Sequence, residues 1–385
     1  MNSALTASDI RNCYDALISR NPLWNKKDLF IYYIINQTAG CFKHKKKSKI
    51  YKKILNDAQI FSEKVKVCVN SITSSILLTN YTNHAKELAA AVVNEIKTNL
   101  KKNAEYLIVA AGGDGTSLEV QSELFNIAQQ NEENKKIIKN HLTILRLPLG
   151  TGNDGTDGHS IQENLDLLQS NLEFTNSPAV KVYPESEPDE QKLKNCRKKP
   201  EKYESSPSKA PWYAFNIASI GLDAYVVYMT NVFKERMPGN FYHLCIPFAG
   251  IFYDKDLPTG TASIQFFDEK GKLTDGVTCP LTLLAFGASG NRVYGGGHKV
   301  LPDEHNVCYA PKVSLLTLMK ENHRFVDGSF IGKDFAFVKN AKKVRIYYDQ
   351  PILLQCDGEI SLIRPAQFPL IFEITEPVLR TLKKI

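Results

Sequence analysis

Two short stretches hold the residue types best suited to phosphate chemistry: Gly112-Gly113-Asp114-Gly115-Thr116 and Pro148-Leu149-Gly150-Thr151-Gly152-Asn153-Asp154. A tight turn needs one or two glycines, so three within four residues point to something that comes very close to the backbone. Glycines there let backbone N–H groups reach phosphate oxygens, and a helix starting just after them favours negative charge. Thr116 and Ser117 are of the type that caps a helix, and Asp114 is placed to hold Mg2+ or to orient a hydroxyl. Neither G-K-[ST] nor G-x-G-x-x-G spacing is present, so the first loop is no Walker A and no dinucleotide fingerprint. A third stretch, Asp357-Gly358-Glu359, offers two carboxylates two residues apart. On a strand they would share a face, and one could take the proton of an attacking hydroxyl. D-G is equally a common hairpin turn.

The elements that must carry these loops alternate between strand-like and helix-like from about residue 28 to 172. LFIYYIIN (29–36), SSILLT (74–79), YLIVAA (106–111) and LTILRLP (142–148) read as strands. Between and after them lie a lysine-rich helical stretch, HAKELAAAVVNEIKTNL (84–100), SLEVQSELFNIAQQ and IQENLDLLQSN. Strand, loop and helix repeated in this way predict a parallel sheet with helices on its faces and a ligand crevice at the C-terminal strand ends. After about residue 173 a proline- and charge-rich excursion, 184–211, reads as flexible. Many short β-type runs follow, among them WYAFNIASIG, PLTLLAFGASG, KKVRIYYD and PLIFEI, interrupted by the helix-like DAYVVYMTNVFKERM and FYHLCIPFAGIF. They predict a mostly antiparallel β domain.

The chain has 385 residues, enough for two domains, with 43% apolar and 23% charged residues. Its cysteines, Cys13, Cys41, Cys68, Cys196, Cys245, Cys279, Cys308 and Cys356, form no C-x-x-C pair and no zinc-ligand spacing, so they read as reduced thiols of a cytoplasmic protein. The first residues lack the apolar core of a signal peptide; Ser8 can cap a helix with Ile10, Tyr14, Leu17 and Ile18 on one face. Nothing else suggests secretion, so the sequons at Asn36 and Asn80 are taken as chance matches. The longest apolar stretch, FYHLCIPFAGIFY (241–253), is too short to span a bilayer. Of the formal charge of +7, much sits in KHKKKSKIYKK (43–53), with seven lysines in eleven residues. Such a run is either a solvated helix face or an attraction to anionic phosphates or lipid headgroups. With few interleaved aromatics and no accompanying motif, it does not indicate nucleic acid.

Seven stretches resemble one family. GGDGT (112–116) resembles the nucleotide loop shared by diacylglycerol kinases, sphingosine kinases, NAD kinases and phosphofructokinases, and PLGTGND (148–154) narrows this to the diacylglycerol/sphingosine lipid kinases. INQTAG (35–40) resembles the first-strand N-P-x-S-G loop, with Gln37 and Ala39 as departures, and LLTNYTNHAKELA (77–89) the threonine-plus-helix segment. NIASIGLDAYV (216–226) and YGGGHKVLP (294–302) resemble the G-[FL]-D-A and G-G-G-x-x-x-x-P stretches, and CDGEI (356–360) the D-G-E near the C-terminus.

The resemblance implies an α/β nucleotide-binding domain of phosphofructokinase/NAD kinase type followed by an antiparallel β-sandwich domain. Expected boundaries are an amphipathic extension over 1–28, an ATP domain over 29–172 and a lipid-substrate domain over 173–371, with 372–385 packing back on the first. It implies that ATP lies among Asn36, Gln37, Thr38, Ala39, Gly40, Thr79, Gly112, Gly113, Asp114, Gly115, Thr116, Thr151, Gly152, Asn153 and Asp154, with Mg2+ on the phosphates. Asp357 and Glu359 are expected to face the nucleotide together across the interdomain cleft, with Glu359 as the base, Asp357 as its partner and Asp114 as the rival. The implied reaction is transfer of the ATP γ-phosphate to a hydroxyl of a membrane lipid by a protein peripheral at an anionic membrane, with a homodimer as a further expectation. A soluble-substrate kinase of the NAD kinase type and an inactive nucleotide- or lipid-binding pseudokinase are the alternatives.

Two departures stand out. DEHNVCYAPK (303–312) contains no D-D-G, the sequence the family uses for a structural Mg2+, and leaves Asp303 and Glu304 as the available carboxylates. Gly155-Thr156-Asp157-Gly158 replaces the apolar residue and alanine that usually follow PLGTGND, which predicts a later helix start and a longer, looser loop.

Overall fold

The computed structural model describes residues 4–150, 153, 155–187, 203, 210–236, 242–294 and 297–385. The chain forms two compact units, Met1–Ser177 with Glu376–Ile385, and Pro178–Thr375.

The first unit runs α1 (Ala7–Ile18), β1 (Asp28–Ile35), α2 (Gly40–Lys43), α3 (Lys45–Ser62), β2 (Ser71–Leu78), α4 (His84–Asn99), β3 (Ala104–Gly112), α5 (Asp114–Gln130), α6 (Glu132–Asn140), β4 (Leu142–Pro148), α7 (Ile161–Gln169) and β5 (Leu172–Ser177). Its sheet has the order β2-β1-β3-β4, then the C-terminal strand Leu379–Lys384, then β5. The first five are parallel, and β5 runs antiparallel to the C-terminal strand. β1, β3 and β4 are buried almost throughout, as strands covered on both faces must be, which is why they read as unbroken apolar runs. The chain leaves β1 toward β2 on one side and leaves β3 toward β4 on the other. The strand order therefore reverses between β1 and β3, and the crevice of such a sheet opens at their C-terminal ends.

The N-terminal helix is part of this unit. Thr6 and Asp9 form a reciprocal cap, and Ile10, Cys13, Tyr14, Leu17 and Ile18 are buried. Tyr14 donates to Asn164 Oδ1 at 2.6 Å, and the Leu5 amide donates to Ser48 Oγ at 2.8 Å. The apolar face of this helix is thus spent on the unit's own core. The C-terminal strand is held by Arg380, whose guanidinium reaches Thr143, Asn140 and Glu105.

In the second unit eleven of the described strands form one sheet, and Arg292–Tyr294 and His298–Leu301 form a separate antiparallel pair. The centre of the larger sheet is the long strand Leu273–Gly287. As far as Pro280 it pairs with Thr261–Phe267; from Leu281 it turns fully buried and pairs with Ile217–Gly221 and Val307–Pro311. One core collects Ile264, Phe266, Val344 and Phe372 from one half and Ile220, Leu284, Phe286 and Leu354 from the other, so the sheet curls to enclose it. A second core lies under the helices Leu222–Arg236 and Tyr242–Asp256, through Tyr225, Cys245, Ala249 and Tyr253. Gly221, which joins strand to helix, has φ +93°, and a Cβ there would lie 2.2 Å from the Thr282 carbonyl oxygen. That accounts for the glycine of the I-G-L-D-A stretch in backbone terms.

Candidate functional site

In the first unit the C-terminal ends of β1, β3 and β4 bring the glycine loops together. The Asn36 amide donates to the Ala111 carbonyl at 2.9 Å, continuing the ladder past β1. Its side chain donates to Thr116 Oγ1 at 3.2 Å and accepts from both the amide and the hydroxyl of Thr38. Ala39 is buried as the residue before α2, Gly40 opens that helix, Gln37 and Thr38 are exposed, and the Thr79 amide donates to the Ile35 carbonyl at 3.0 Å.

Gly112 closes β3, and a Cβ on it would sit 2.4 Å from Thr116 Oγ1. Gly113 is the N-cap of α5 and contributes no side chain to its orphan amides, leaving donors at a positive helix end. Gly150 packs backbone to backbone on Gly113: a Cβ on Gly150 would lie 2.7 Å from Gly113 Cα. The glycines therefore serve first to let one loop touch the other.

Asp114 is the clasp between them. Its carboxylate accepts the Asn153 amide at 2.8 Å and the Gly155 amide at 3.1 Å. Asn153, at φ +69°, accepts the Gly150 amide through Oδ1 at 2.9 Å. Asn tolerates this left-handed backbone better than most residues. Thr151, Gly152 and Asp154 lie outside the described residues.

The departure at Gly155-Thr156-Asp157-Gly158 is a built feature. Asp157 accepts from the Arg146 amide at 2.7 Å and pairs with the Arg146 guanidinium, which also donates to Gln121 Oε1 at 3.0 Å. The Thr156 hydroxyl lies 2.9 Å from the Asn153 carbonyl and 2.7 Å from that of Gly158. Helix α7 does begin later, at Ile161 with Ser160 as its cap, but the loop is tied rather than loose.

Sequence reasoning passed over Lys47. From the first turn of α3 its ammonium donates to the Gly150 carbonyl at 2.9 Å. Within a run of seven lysines, composition carries no mark of the one that turns inward. Arg146 and Asp157 were also missed as a pair, although a charged residue within a buried strand run was a signal that it needed a partner.

In the second unit the acidic pair takes a different form from strand neighbours. Ile352–Cys356 and Glu359–Ile363 are antiparallel, Cys356 faces Glu359, and Asp357-Gly358 is the two-residue turn between them at φ +48° and +97°. The D-G turn chemistry wins, because this pair readily supplies two positive φ angles. The Asp357 carboxylate accepts from the amides of Phe215 at 2.6 Å, Asn216 at 3.0 Å and Ile217 at 3.0 Å. Asp357 therefore anchors the entry to strand Ile217–Gly221. Glu359 is exposed where the second strand begins. Burial, with these two carboxylates nearby, pushes the Cys356 thiol well above its ordinary range. In the D-D-G-less stretch, Asp303 pairs with His305 at 2.9 Å. Two glycines of YGGGHKVLP, Gly295 and Gly296, lie outside the described residues.

Two glycine loops clasped at a strand-order reversal, at the C-terminal ends of a parallel sheet, sit where ligands bind in open α/β sheets, and the chain continues into a curled antiparallel sheet. Residues 31–182 match the family model described as the diacylglycerol kinase catalytic domain. The resemblance of the four stretches that fall within this segment is thus borne out, and residues 31–182 match a kinase catalytic domain. Among solved structures, the fold is similar to that of a Bacillus anthracis str. Sterne protein provisionally named a diacylglycerol kinase. That pair has a TM-score of 0.52 and 15% identity, covering 92% of this chain and 96% of that one. A further structure so named from the same organism gives a TM-score of 0.50 at 16% identity over the same shares. At such identities the likeness establishes the fold. No curated protein matches the chain.

Proposed function

We propose that this protein transfers the γ-phosphate of ATP to a hydroxyl group of a membrane lipid. The observation that carries the reading is the pair of glycine loops clasped by Asp114 within the segment that matches the family. Such a loop pair offers backbone amides and an uncapped helix end to a phosphate chain, and phosphoryl transfer asks mostly for positioning and charge stabilisation. Asn36, Thr38, Gly112, Gly113, Gly115, Thr116 and Asn153 are the proposed phosphate-side residues, with Asp114 holding their geometry.

Glu359, exposed where its strand begins and matching the last residue of the family's D-G-E, is the proposed base for the acceptor hydroxyl, while the Asp357 and Asp114 carboxylates accept backbone amides. Magnesium arriving with ATP would supply charge neutralisation on the phosphates. Among the described residues no group of three or more His, Cys, Asp or Glu could hold a metal by itself, and no step here is assigned through one.

For the lipid, the support is an exposed apolar surface on the second unit. Helix Tyr242–Asp256 leaves Phe248, Ile251 and Phe252 exposed, and the adjoining helix Leu315–Glu321 buries none of its residues and leaves Leu316 80% exposed. The two helices meet at Gly250, where a Cβ would lie 3.1 Å from Leu318 Cδ2. Large apolar patches of this kind mark interaction sites, and a bilayer suits one set on helices. Among the described residues no helix is long and apolar enough to cross a membrane. The test is transfer of labelled phosphate from ATP to a panel of diacylglycerol, sphingoid base, ceramide and polyprenol in vesicles, with NAD as the soluble comparator. Labelling of a lipid supports the reading; labelling of NAD alone replaces it with the soluble-substrate alternative.

A further inference from the structure

Lys47 stands at the junction of the two glycine loops from a third direction. The Gly150 amide is taken by Asn153 and the Gly150 carbonyl by Lys47, while Gly150 Cα packs on Gly113. We propose that Lys47 is the cation that reads the phosphate chain of the nucleotide, an assignment that rests on the kinase reading above.

An ammonium carries three donors, and the Gly150 carbonyl uses one, leaving two for a ligand at the same loop. Its neighbours among the described residues are not anionic: the Gly150 carbonyl, the face of the Tyr51 ring at 5.4 Å, and the Cys41 thiol, which feels its charge but is pushed up to about 12 by burial. Lys47 is half-buried, whereas Lys43, Lys45, Lys46, Lys49 and Lys53 of the same run are exposed. A cation partly withdrawn from water with no anion among the described residues beside it gains from an anionic ligand. Its place adds to this, because the first turn of α3 holds Lys45, Lys46 and Lys47 and no acid, against the sign of the helix dipole. A multiply charged phosphate chain at the glycine junction relieves both. Lysine binds phosphate as a mobile point charge, so the contact adjusts as the chain shortens by one group.

The alternative is that Lys47 only latches the loop through Gly150, and equilibrium binding separates the two. ATP, ADP and adenosine are titrated without lipid into the full chain, its Lys47→Gln and Lys47→Arg variants, and Lys45→Gln as an exposed-charge control. Thermal melts without nucleotide verify that each variant folds. Lys47→Gln is expected to weaken ATP by about ten- to a hundredfold, the range for a lost hydrogen bond to a charged group, with adenosine unchanged. Lys47→Arg should recover part of the loss, and Lys45→Gln should bind like the wild type. Equal weakening of ATP and adenosine, or no weakening of ATP, overturns the assignment while leaving the kinase reading intact. A wild-type chain that shows no preference for ATP over adenosine overturns both.

Discussion

Gly113 and Gly150 touch through their backbones: a single methyl group on Gly150 would come within 2.7 Å of the Gly113 Cα. Two loops from different strand ends are thereby set in register, and Asp114 fastens them through the amides of Asn153 and Gly155.

Gly150→Ala should disturb the site more than the fold. The added carbon meets backbone, and the overlap costs about 1–3 kcal/mol if the loops cannot part. ATP binding should fall while the melting temperature drops by only a few degrees, roughly what that energy allows for a chain of this size. Unchanged ATP binding would show that the loop contact does not shape the phosphate site.

Asp357→Ala should act on stability. It strands the Phe215, Asn216 and Ile217 amides, each about 1–3 kcal/mol when buried and unsatisfied, so a loss of about 3 kcal/mol or more is expected. Asp357→Asn keeps an acceptor and tolerates the left-handed turn, and should lose less. A catalytic base would give the opposite pattern, with Asp357→Asn abolishing turnover at unchanged stability. Denaturation curves alongside kinetics distinguish the two.

Asp157→Asn should loosen the second loop. Removing one charge of a largely buried pair leaves Arg146 uncompensated, a loss of about 3–5 kcal/mol. Hydrogen exchange should rise first around residues 146–164, and a change confined to overall stability would contradict a local clasp.

The apolar patch of the second unit has a pH-sensitive tie. The hydrogen bond from Lys312 at 2.5 Å and that from the Thr259 hydroxyl hold the Asp254 carboxyl down to about 2. A depressed carboxyl adds stability that is fully present above its unfolded value of about 4 and is lost as pH falls toward the folded one. The pair is half exposed, so its contribution is modest. The melting-temperature gap between wild type and Asp254→Asn should narrow as pH drops below about 4. A gap independent of pH would show that the pair does not tie the patch.

Much of the first unit was legible because its strands are buried on both faces. LFIYYIIN, YLIVAA and LTILRLP leave almost no polar residue to confuse the period, and all three fall within or across β1, β3 and β4. The glycine loops were legible as places of close approach, but their partner was read as phosphate alone, since one loop touching another is not written locally. Asp357 was misplaced for a similar reason. As a strand neighbour of Glu359 it has one meaning and as a turn residue another, and only the pairing of Cys356 with Glu359 decides. The amphipathic face of α1 was read from Ile10, Tyr14, Leu17 and Ile18, while its partners, Ser48 and Asn164 among them, lie far along the chain.

Phosphate transfer to a lipid hydroxyl with Glu359 as base is tested most directly by supplying labelled ATP and mixed lipid vesicles to the wild-type chain and to Glu359→Gln. The expected result is a labelled lipid whose formation slows by about 10²- to 10⁴-fold in the variant, the usual cost of losing a general base, with ATP binding retained. Full-rate labelling by Glu359→Gln, or a wild type that binds ATP and labels none of the lipids, would contradict it.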